Sequence, residues 1–378
     1  MTAAQSTPSD GLVLPRYGEA SLVELLPSIL AALGVAGEHD VLGLPPSRRY
    51  CVLLVDGLGW NLLRAHPAQA PFLISLSSRA ITAGSPTTTV TSLTSFGTGL
   101  PPGRHGVLGY TTRIPGTNVL LNALKWDAAV DPITYQPHPT VFERAAGAGV
   151  AVTVIGERKF RTSGLTIAGL RSPGFRAAET LGERVASAAD AASPDQSLVY
   201  VYDGDLDTTG HRAGCGSAAW RHQLTMVDRF AEELYEALPA GTALIVTADH
   251  GMVDVDDTNR IDVDDVPALR AGVALVGGEA RFRHVYAEPG AAADVLAAWR
   301  AVLGGRAAVL SRGEAVDAGW FGAVENRVLD RIGDVVAALT GGYAVEMRSV
   351  FPVEASLIGL HGALTADEML VPLLVSAN

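Results

Sequence analysis

The stretch Ser85-Pro-Thr-Thr-Thr-Val-Thr-Ser-Leu-Thr-Ser-Phe-Gly-Thr-Gly99 crowds hydroxyls into its first half and reads as a short helix closing on Gly97 and Gly99 in its second. A hydroxyl at the mouth of a helix faces unpaired N–H groups and the positive end of the dipole, a natural seat for an anion. Alone, such a run is a helix cap or a turn far more often than a nucleophile. Asp and His residues elsewhere change the balance. Asp56 directly follows an apolar run in Val-Asp-Gly-Leu-Gly, where a turn aspartate is the competing account. Asp249-His250-Gly251 follows another such run, and two ionisable side chains at the end of a buried strand are poorly explained by packing. In Asp207-Thr-Thr-Gly-His211 a spacing of four puts a carboxylate and an imidazole on one face of a helical turn. The Thr-Thr-Gly between them suits a loop equally, and Asp203 or Asp205 stands close enough to replace Asp207. His361-Gly362, ahead of the last apolar run, gains meaning only beside the others.

Carboxylate and imidazole donors without thiolates suit zinc, and also manganese or iron. Two such ions about 4 Å apart clamp the attacking and leaving oxygens of an in-line displacement at phosphorus. One of them also lowers the pKa of a threonine hydroxyl, otherwise a poor nucleophile near neutral pH.

These residues need a scaffold that brings strand ends together. Tyr50–Gly57 contains a short unbroken apolar run between Pro46 and Gly57, the pattern of a strand buried on both faces. The pattern recurs at Val150–Ile155, Ser197–Tyr202 and Thr242–Thr247, with helix-period segments around 139–147, 177–192 and 217–237 between them. Alternating units of this kind predict an α/β fold with a doubly wound, largely parallel central sheet covered by helices. In such a sheet ligands bind beyond the carboxyl ends of the strands, where the Asp and His residues fall. Residues 1–16 read as a loose polar start, 19–34 as an amphipathic helix ending near Gly34, and Leu370–Val375 as a terminal strand. Residues 1–378 read as a single catalytic domain, and 255–345 as a small cap-like insertion with strands at Phe282–Tyr286 and Asp334–Leu339.

Here the chain resembles the alkaline phosphatase superfamily, and most of all its nucleotide pyrophosphatase/phosphodiesterase branch. The resemblance rests on Asp56, Pro86-Thr-Thr-Thr leading to Thr98-Gly99, Asp207-x-x-Gly-His211, Asp249-His250-Gly251 and His361-Gly362, in that order over roughly 50–375. It implies two zinc ions, one held by Asp207, His211 and His361, the other by Asp56, Asp249, His250 and a threonine oxygen. Laying Pro86 and Thr98-Gly99 on the family pattern selects Thr89 as the nucleophile over Thr87, Thr88 or Thr91. The implied reaction is two-step hydrolysis of a phosphodiester or pyrophosphate bond through phosphothreonine, with net retention at phosphorus. Where many members carry Pro-Asn after the nucleophile, this chain has Thr91-Ser92, so Ser92 becomes the candidate for the phosphoryl contact that asparagine makes in the family. The ending His361-Gly-Ala-Leu-Thr-Ala-Asp-Glu-Met-Leu-Val-Pro372 is similar to that of bacterial members rather than to the His-Gly-Tyr ending of the better-known phosphodiesterases. His105-Gly106 matches a recurrent family turn and reads as structural.

Within 110–138, few buried-strand signals occur, and Tyr110 and Trp126 are candidates to stack on a substrate group, with a loop anchored by its aromatics as the competing account. Glu157-Arg158-Lys159, following a strand end, reads as solvated charge, with a contact to phosphate as the competing account; Asp254-Val-Asp-Asp257 reads as an exposed acidic loop lacking the EF-hand pattern for calcium. Two rival activities of the same superfamily, a phosphomonoesterase and a phosphonate hydrolase, would keep the same core. A sulfatase would need Cys/Ser-x-Pro-x-Arg, which is absent; a mutase would need a two-domain layout that is not evident; a non-catalytic metal-binding module would have lost the nucleophile or a ligand.

Composition sets the partners. The 378 residues hold 40 acidic against 28 basic side chains, a net charge of −12 with no basic stripe, which argues against nucleic acid polymers and anionic membranes. The expected partner is a small phosphate ester, a nucleotide among the candidates; nothing in the sequence sets an oligomeric state. Cys51 reads as core and Cys215 as a loop residue, without disulfide framework or metal spacing. The Leu22–Val35 run is broken by Glu24 and Pro27, too short to span a bilayer and without a basic region ahead of it, so a soluble cytoplasmic protein is expected.

Overall fold

The computed structural model describes residues 11–126 and 129–376. Residues 1–10 of the polar start, and 127–128 within the 110–138 segment, lie outside the described residues. The strands used below are β1 (Arg49–Val55), β2 (Ser77–Thr82), β3 (Ala151–Gly156), β4 (Phe175–Ala177), β5 (Ser197–Asp203), β6 (Thr242–Thr247), β7 (Val273–Glu279), β8 (Phe282–Ala287), β9 (Ala307–Ser311), β10 (Val335–Leu339) and β11 (Leu370–Val375). The helices are α1 (Leu25–Ala32), α2 (Thr89–Thr98), α3 (Val141–Gly147), α4 (Leu181–Ala191), α5 (Asp205–Ala213), α6 (Ala218–Ala237) and α7 (Ala292–Leu303).

The central sheet has seven strands in the order β2-β11-β6-β1-β5-β3-β4. From β6 to β4 every pairing is parallel. The apolar runs become these strands because helices cover them: Cys51 to Val55 are fully buried, as are Leu244 to Val246. The helices form two sets, one with α4 packed on α6, the other with α1 and α3 packed on α2, as a doubly wound sheet requires. The terminal strand β11 lies where expected in sequence, but runs antiparallel to both neighbours and sits inside the sheet, between β2 and β6.

Helix α2 is buried along almost its whole length and ends on Gly99 in the left-handed region at φ 66°. Gly97 does not help to close it. It lies inside the helix, where a Cβ would stand 2.0 Å from the Gly169 carbonyl oxygen, so its missing side chain lets the Gly164–Gly169 helix approach.

Residues 273–339 build a second, antiparallel sheet in the order β7-β8-β10-β9, with Val285, Val295 and Trp299 in its own core. The tip of its β7–β8 hairpin reaches the main sheet's site. There Arg281, fully buried, donates from Nε and Nη2 to the two Glu368 oxygens at 2.7 Å each, and from Nη1 to the Tyr343 carbonyl at 2.6 Å. Glu368 also accepts from Ala363 N and Thr365 Oγ1, and its carbonyl accepts from Gly251 N. One carboxylate thus ties the hairpin to the loops that follow His250 and His361. Removing one partner of a buried ion pair strands the other charge, so Arg281→Met is expected to lower stability by about 3–5 kcal/mol. Urea unfolding checks this; a loss under about 1 kcal/mol would show that the pair is dispensable.

Candidate metal centre and nucleophile

Asp56, Asp249 and His250 leave the ends of adjacent parallel strands β1 and β6, so register alone brings them side by side. Asp207 and His211 come from α5, which starts two residues after β5. The spacing of four is therefore helical, and the Asp207 Oδ2–His211 Nε2 separation is 3.4 Å. Asp203 is not free to substitute, because its carboxylate meets Arg184 Nη1 at 2.9 Å in the interior, and Asp205 is exposed at the start of α5. His361 enters from the loop ahead of β11 and stacks on His250 with ring centroids 3.7 Å apart. All six side chains expected around metal ions converge.

Gly251 explains why this motif ends in glycine. A Cβ there would stand 1.9 Å from the Asp367 carbonyl oxygen, so no side chain fits while His250 keeps its place. Gly57 N and His250 N donate to Asp249 Oδ1, fixing that carboxylate and leaving Oδ2 turned to the cluster.

The three imidazoles share one arrangement. Each pairs Nδ1 with a backbone carbonyl: His211 with Gly359 at 2.7 Å, His250 with Gly251 at 2.9 Å and His361 with Thr87 at 2.9 Å. With Nδ1–H donating, Nε2 is the free lone pair, and each Nε2 faces the carboxylates, as metal-ligating histidines are held. Burial pushes His250 down to about 4 and His361 well below the usual range, so both stay neutral at pH 7.

The carboxylates carry the opposite strain. Burial, then the neighbouring Asp56 charge, pushes Asp207 up to about 8, and burial reinforced by the other carboxylates raises Asp56 and Asp249. Asp56 Oδ1, Asp207 Oδ1 and Asp249 Oδ2 are buried without a hydrogen-bond partner. Donor atoms of Asp207, His211 and His361 lie within 4.8 Å of one another, as do those of Asp56, Asp207 and His250, with Asp249 Oδ2 3.5 Å from His250 Nε2. Asp207 therefore borders both groups. Orphaned carboxylate oxygens facing neutral imidazoles fit divalent cations and fit little else.

Thr89 is the first residue of α2, and its Oγ1 lies 3.2 Å from His250 Nε2 and 3.5 Å from Asp56 Oδ2. Of the other hydroxyl residues of the run, Thr88 also borders the open space in front of Thr89, whereas Thr87, Thr91 and Ser92 do not. Thr87 Oγ1 donates to the Ala363 carbonyl, and Thr91 and Ser92 are fully buried. Ser92 does not line the open space in front of Thr89. Thr88 precedes the helix without a side-chain cap bond, so the first-turn N–H groups keep their donor capacity.

Two spaces meet at Thr89 and Leu124. One is a cleft of about 260 Å³ that includes Tyr110, Asp207, His211, Glu279 and His361. The other is an apolar slot of about 70 Å³ walled by Phe160, Leu165, Phe175 and Tyr202. Tyr110 thus stands at the site. Trp126 lines neither space: it packs over Gly164 and edge-on to Tyr135, and its Nε1–H donates to Val130 O at 2.8 Å, anchoring its loop. Lys159 pairs with Glu157 at the surface. His105 is buried with Nε2 2.9 Å from Ser95 Oγ, away from the cluster, and is structural.

Sequence reading missed two residues here. Tyr202 donates its phenol to Asp56 Oδ2 while its ring walls the slot, edge-on to Phe160. Its only signal was an aromatic polar tip near the end of a strand that leads to candidate ligands. Glu279 reaches the cleft from β7; a lone acid in the apolar Val273–Val276 setting was the available sign.

The model of the family described as type I phosphodiesterase / nucleotide pyrophosphatase matches residues 50–363. A phosphopentomutase from Anaeromyxobacter dehalogenans (strain 2CP-C) is 30% identical over 162 residues, 41% of this chain and 38% of that relative, so the chain spans well under half of the relative's length. Among solved structures, an inactive variant of murine ectonucleotide pyrophosphatase/phosphodiesterase 5 in complex with AMP is similar with a TM-score of 0.69 at 18% identity, covering 86% of this chain and 87% of that one. Phosphonoacetate hydrolase from Sinorhizobium meliloti 1021, in complex with phosphonoformate, is similar with a TM-score of 0.64 at 22% identity, covering 88% and 90%. At these identities the likeness shows the fold. No helix among the described residues is long and apolar enough to cross a membrane.

Proposed function

This chain belongs to the type I phosphodiesterase / nucleotide pyrophosphatase family, and on that footing we propose that it hydrolyses phosphodiester or pyrophosphate bonds of small molecules through a phosphothreonine at Thr89. One observation carries the reading: the Thr89 hydroxyl stands at a helix N-terminus, beside the ligand cluster, where two spaces meet. A diester has an arm on each side of phosphorus, and both arms find room.

Asp207, His211 and His361 would hold one divalent cation, and Asp56, Asp249 and His250 with the Thr89 oxygen a second; zinc suits these donors, manganese or iron also. Bound there, the two ions supply charge stabilisation of the transferring phosphoryl group and acidify the Thr89 hydroxyl. The chain's own part is placement. Thr89 Oγ attacks phosphorus in line, the first-turn N–H groups of α2 receive an equatorial oxygen, and the leaving oxygen departs on the Asp207 side. Water then cleaves the phosphothreonine, and two inversions give net retention. A nucleotide as substrate is consistent with the AMP bound in the murine neighbour.

No Lys or Arg lines the cleft among the described residues, which leaves the second charge of a monoester or the carboxylate of a phosphonoacetate without a partner. The expected result is that zinc-loaded protein cleaves bis-(p-nitrophenyl) phosphate with a kcat/KM at least roughly 10²-fold above that for the monoester, the rate such an unmatched charge forfeits. A monoester preference would move the protein to the phosphatase side.

A further inference from the structure

The cleft must hold an anion, yet it presents no cationic side chain to it among the described residues. Its walls carry hydroxyl and carboxyl groups instead, and one of these is unusual. Glu279, the last residue of β7, is 7% exposed and lines the cleft with Thr88, Thr89, Tyr110 and His361. It packs against the backbone at Gly109 and over Gly362. Its Oε1 is buried without a hydrogen-bond partner. Buried polar atoms are almost always satisfied, so an orphan in a ligand cleft marks a partner that arrives with the ligand.

We propose that Glu279 is a substrate-binding residue whose carboxyl group donates a hydrogen bond to an oxygen of the monoanionic phosphoryl group held at Thr89. The inference deepens the diesterase reading and rests on it. A carboxyl group can donate only while protonated, and the surroundings favour that form. Burial pushes Glu279 up to about 8, the nearby Glu354 adds to the rise, and Arg283, the Thr88 side chain and the Tyr110 backbone oppose it. Arg283 is engaged with Glu354 and with Val345 O, so it does not neutralise Glu279 outright. Asp207, His211, His361 and Glu354 are the other titratable side chains lining the same cleft, besides Tyr110. An acid kept neutral by an apolar setting donates to a developing or resident anion as an amide or hydroxyl would. A neutral donor also suits one negative charge better than two, in keeping with a diester.

The test is the pH profile of kcat/KM for bis-(p-nitrophenyl) phosphate with zinc-loaded wild type, Glu279→Gln and Glu279→Ala, each checked for an unchanged melting profile. Wild type should lose activity on the alkaline side as Glu279 ionises. Glu279→Gln, which keeps an N–H donor but cannot ionise, should match wild type within about 3-fold at pH 7 and lack that alkaline limb; Glu279→Ala should fall roughly 10²-fold, the cost of one oxyanion donor. An alkaline limb that persists unchanged in Glu279→Gln overturns the proposal, even if Glu279→Ala fails to fold. So does a folded Glu279→Ala with wild-type kcat/KM. Wild type that cleaves no diester removes the underlying reading, and this proposal with it, before any variant is made.

Discussion

Thr89→Ala abolishes turnover: kcat for the diester is expected to fall by at least roughly 10³-fold, because nucleophile and leaving-group chemistry lose their covalent relay together. The effect should be confined to activity. Thr89 is half-buried at the edge of the cleft and, among the described residues, its Oγ1 hydrogen-bonds His250 and Asp56 alone, so the melting midpoint should move by no more than about 2 °C. Thr87→Ala is the informative contrast. Thr87 Oγ1 bridges the Ala363 carbonyl and Gly362 N, so its loss should destabilise the His361 loop and lower stability first. Thr89→Ser keeps a hydroxyl and should retain measurable rate. Undiminished hydrolysis by Thr89→Ala would sink both the choice of nucleophile and the phosphothreonine step. Acid-quenched wild type should yield a phosphorylated peptide containing Thr89 that the alanine variant lacks.

The second large effect is on stability once the protein is stripped with a chelator. Asp56, Asp207, Asp249 and Glu279 all have folded-state values raised by burial, Asp207 and Glu279 to about 8. A raised carboxyl value means that the folded chain still holds a proton that the unfolded chain has lost, so stability falls as pH rises toward the folded value. Neutral His250 and His361 act in the opposite sense, but only below the unfolded histidine value near 6.5, where the unfolded chain gains protons. The clean window is therefore about pH 6.5 to 8, between the unfolded histidine value and the values of Asp207 and Glu279, with Asp249, at about 7, contributing only in its lower part. Across it the chelated protein should lose several kcal/mol, at about 1.4 kcal/mol per pH unit for each proton retained. Added zinc should displace those protons, flatten the slope and raise the midpoint most at pH 8. Urea unfolding at three pH values, with and without zinc, decides the matter. A chelated protein whose stability is flat or rising over this window would show that the carboxylates already have other counter-charges.

Much of this site was readable from sequence because chemistry and strand ends coincide. Asp56 and Asp249-His250 are the first ionisable residues after runs so apolar that only a strand buried on both faces accounts for them, and a parallel sheet puts such ends together. Asp207 and His211 were legible as a pair; the helix that sets their geometry begins too soon after β5 for the sequence to separate it from a loop. What stayed hidden depends on contacts between distant segments. Tyr202 matters because its phenol meets Asp56 across the sheet, and Glu279 because a hairpin from the second sheet folds back over Gly362. Gly97 was misassigned as part of a helix stop since glycine signals either a positive φ or a close approach, and only the Gly169 backbone distinguishes them. Ser92 lies one turn into a fully buried helix, where its hydroxyl has no line to the cleft, and Trp126 serves its own loop.

The place of β11 bears on how the protein is made. It follows both of its neighbours in the chain by more than 120 residues, yet it fills an interior slot between β2 and β6. During synthesis those two strands emerge long before the one that pairs with both, and each offers an open edge to any other extended chain nearby. The sheet is completed, and His361 is brought beside His250, only once residues 361–375 have been made and fill the gap. Pairing of β11 therefore covers both of those edges and gathers the candidate ligand cluster in the same event.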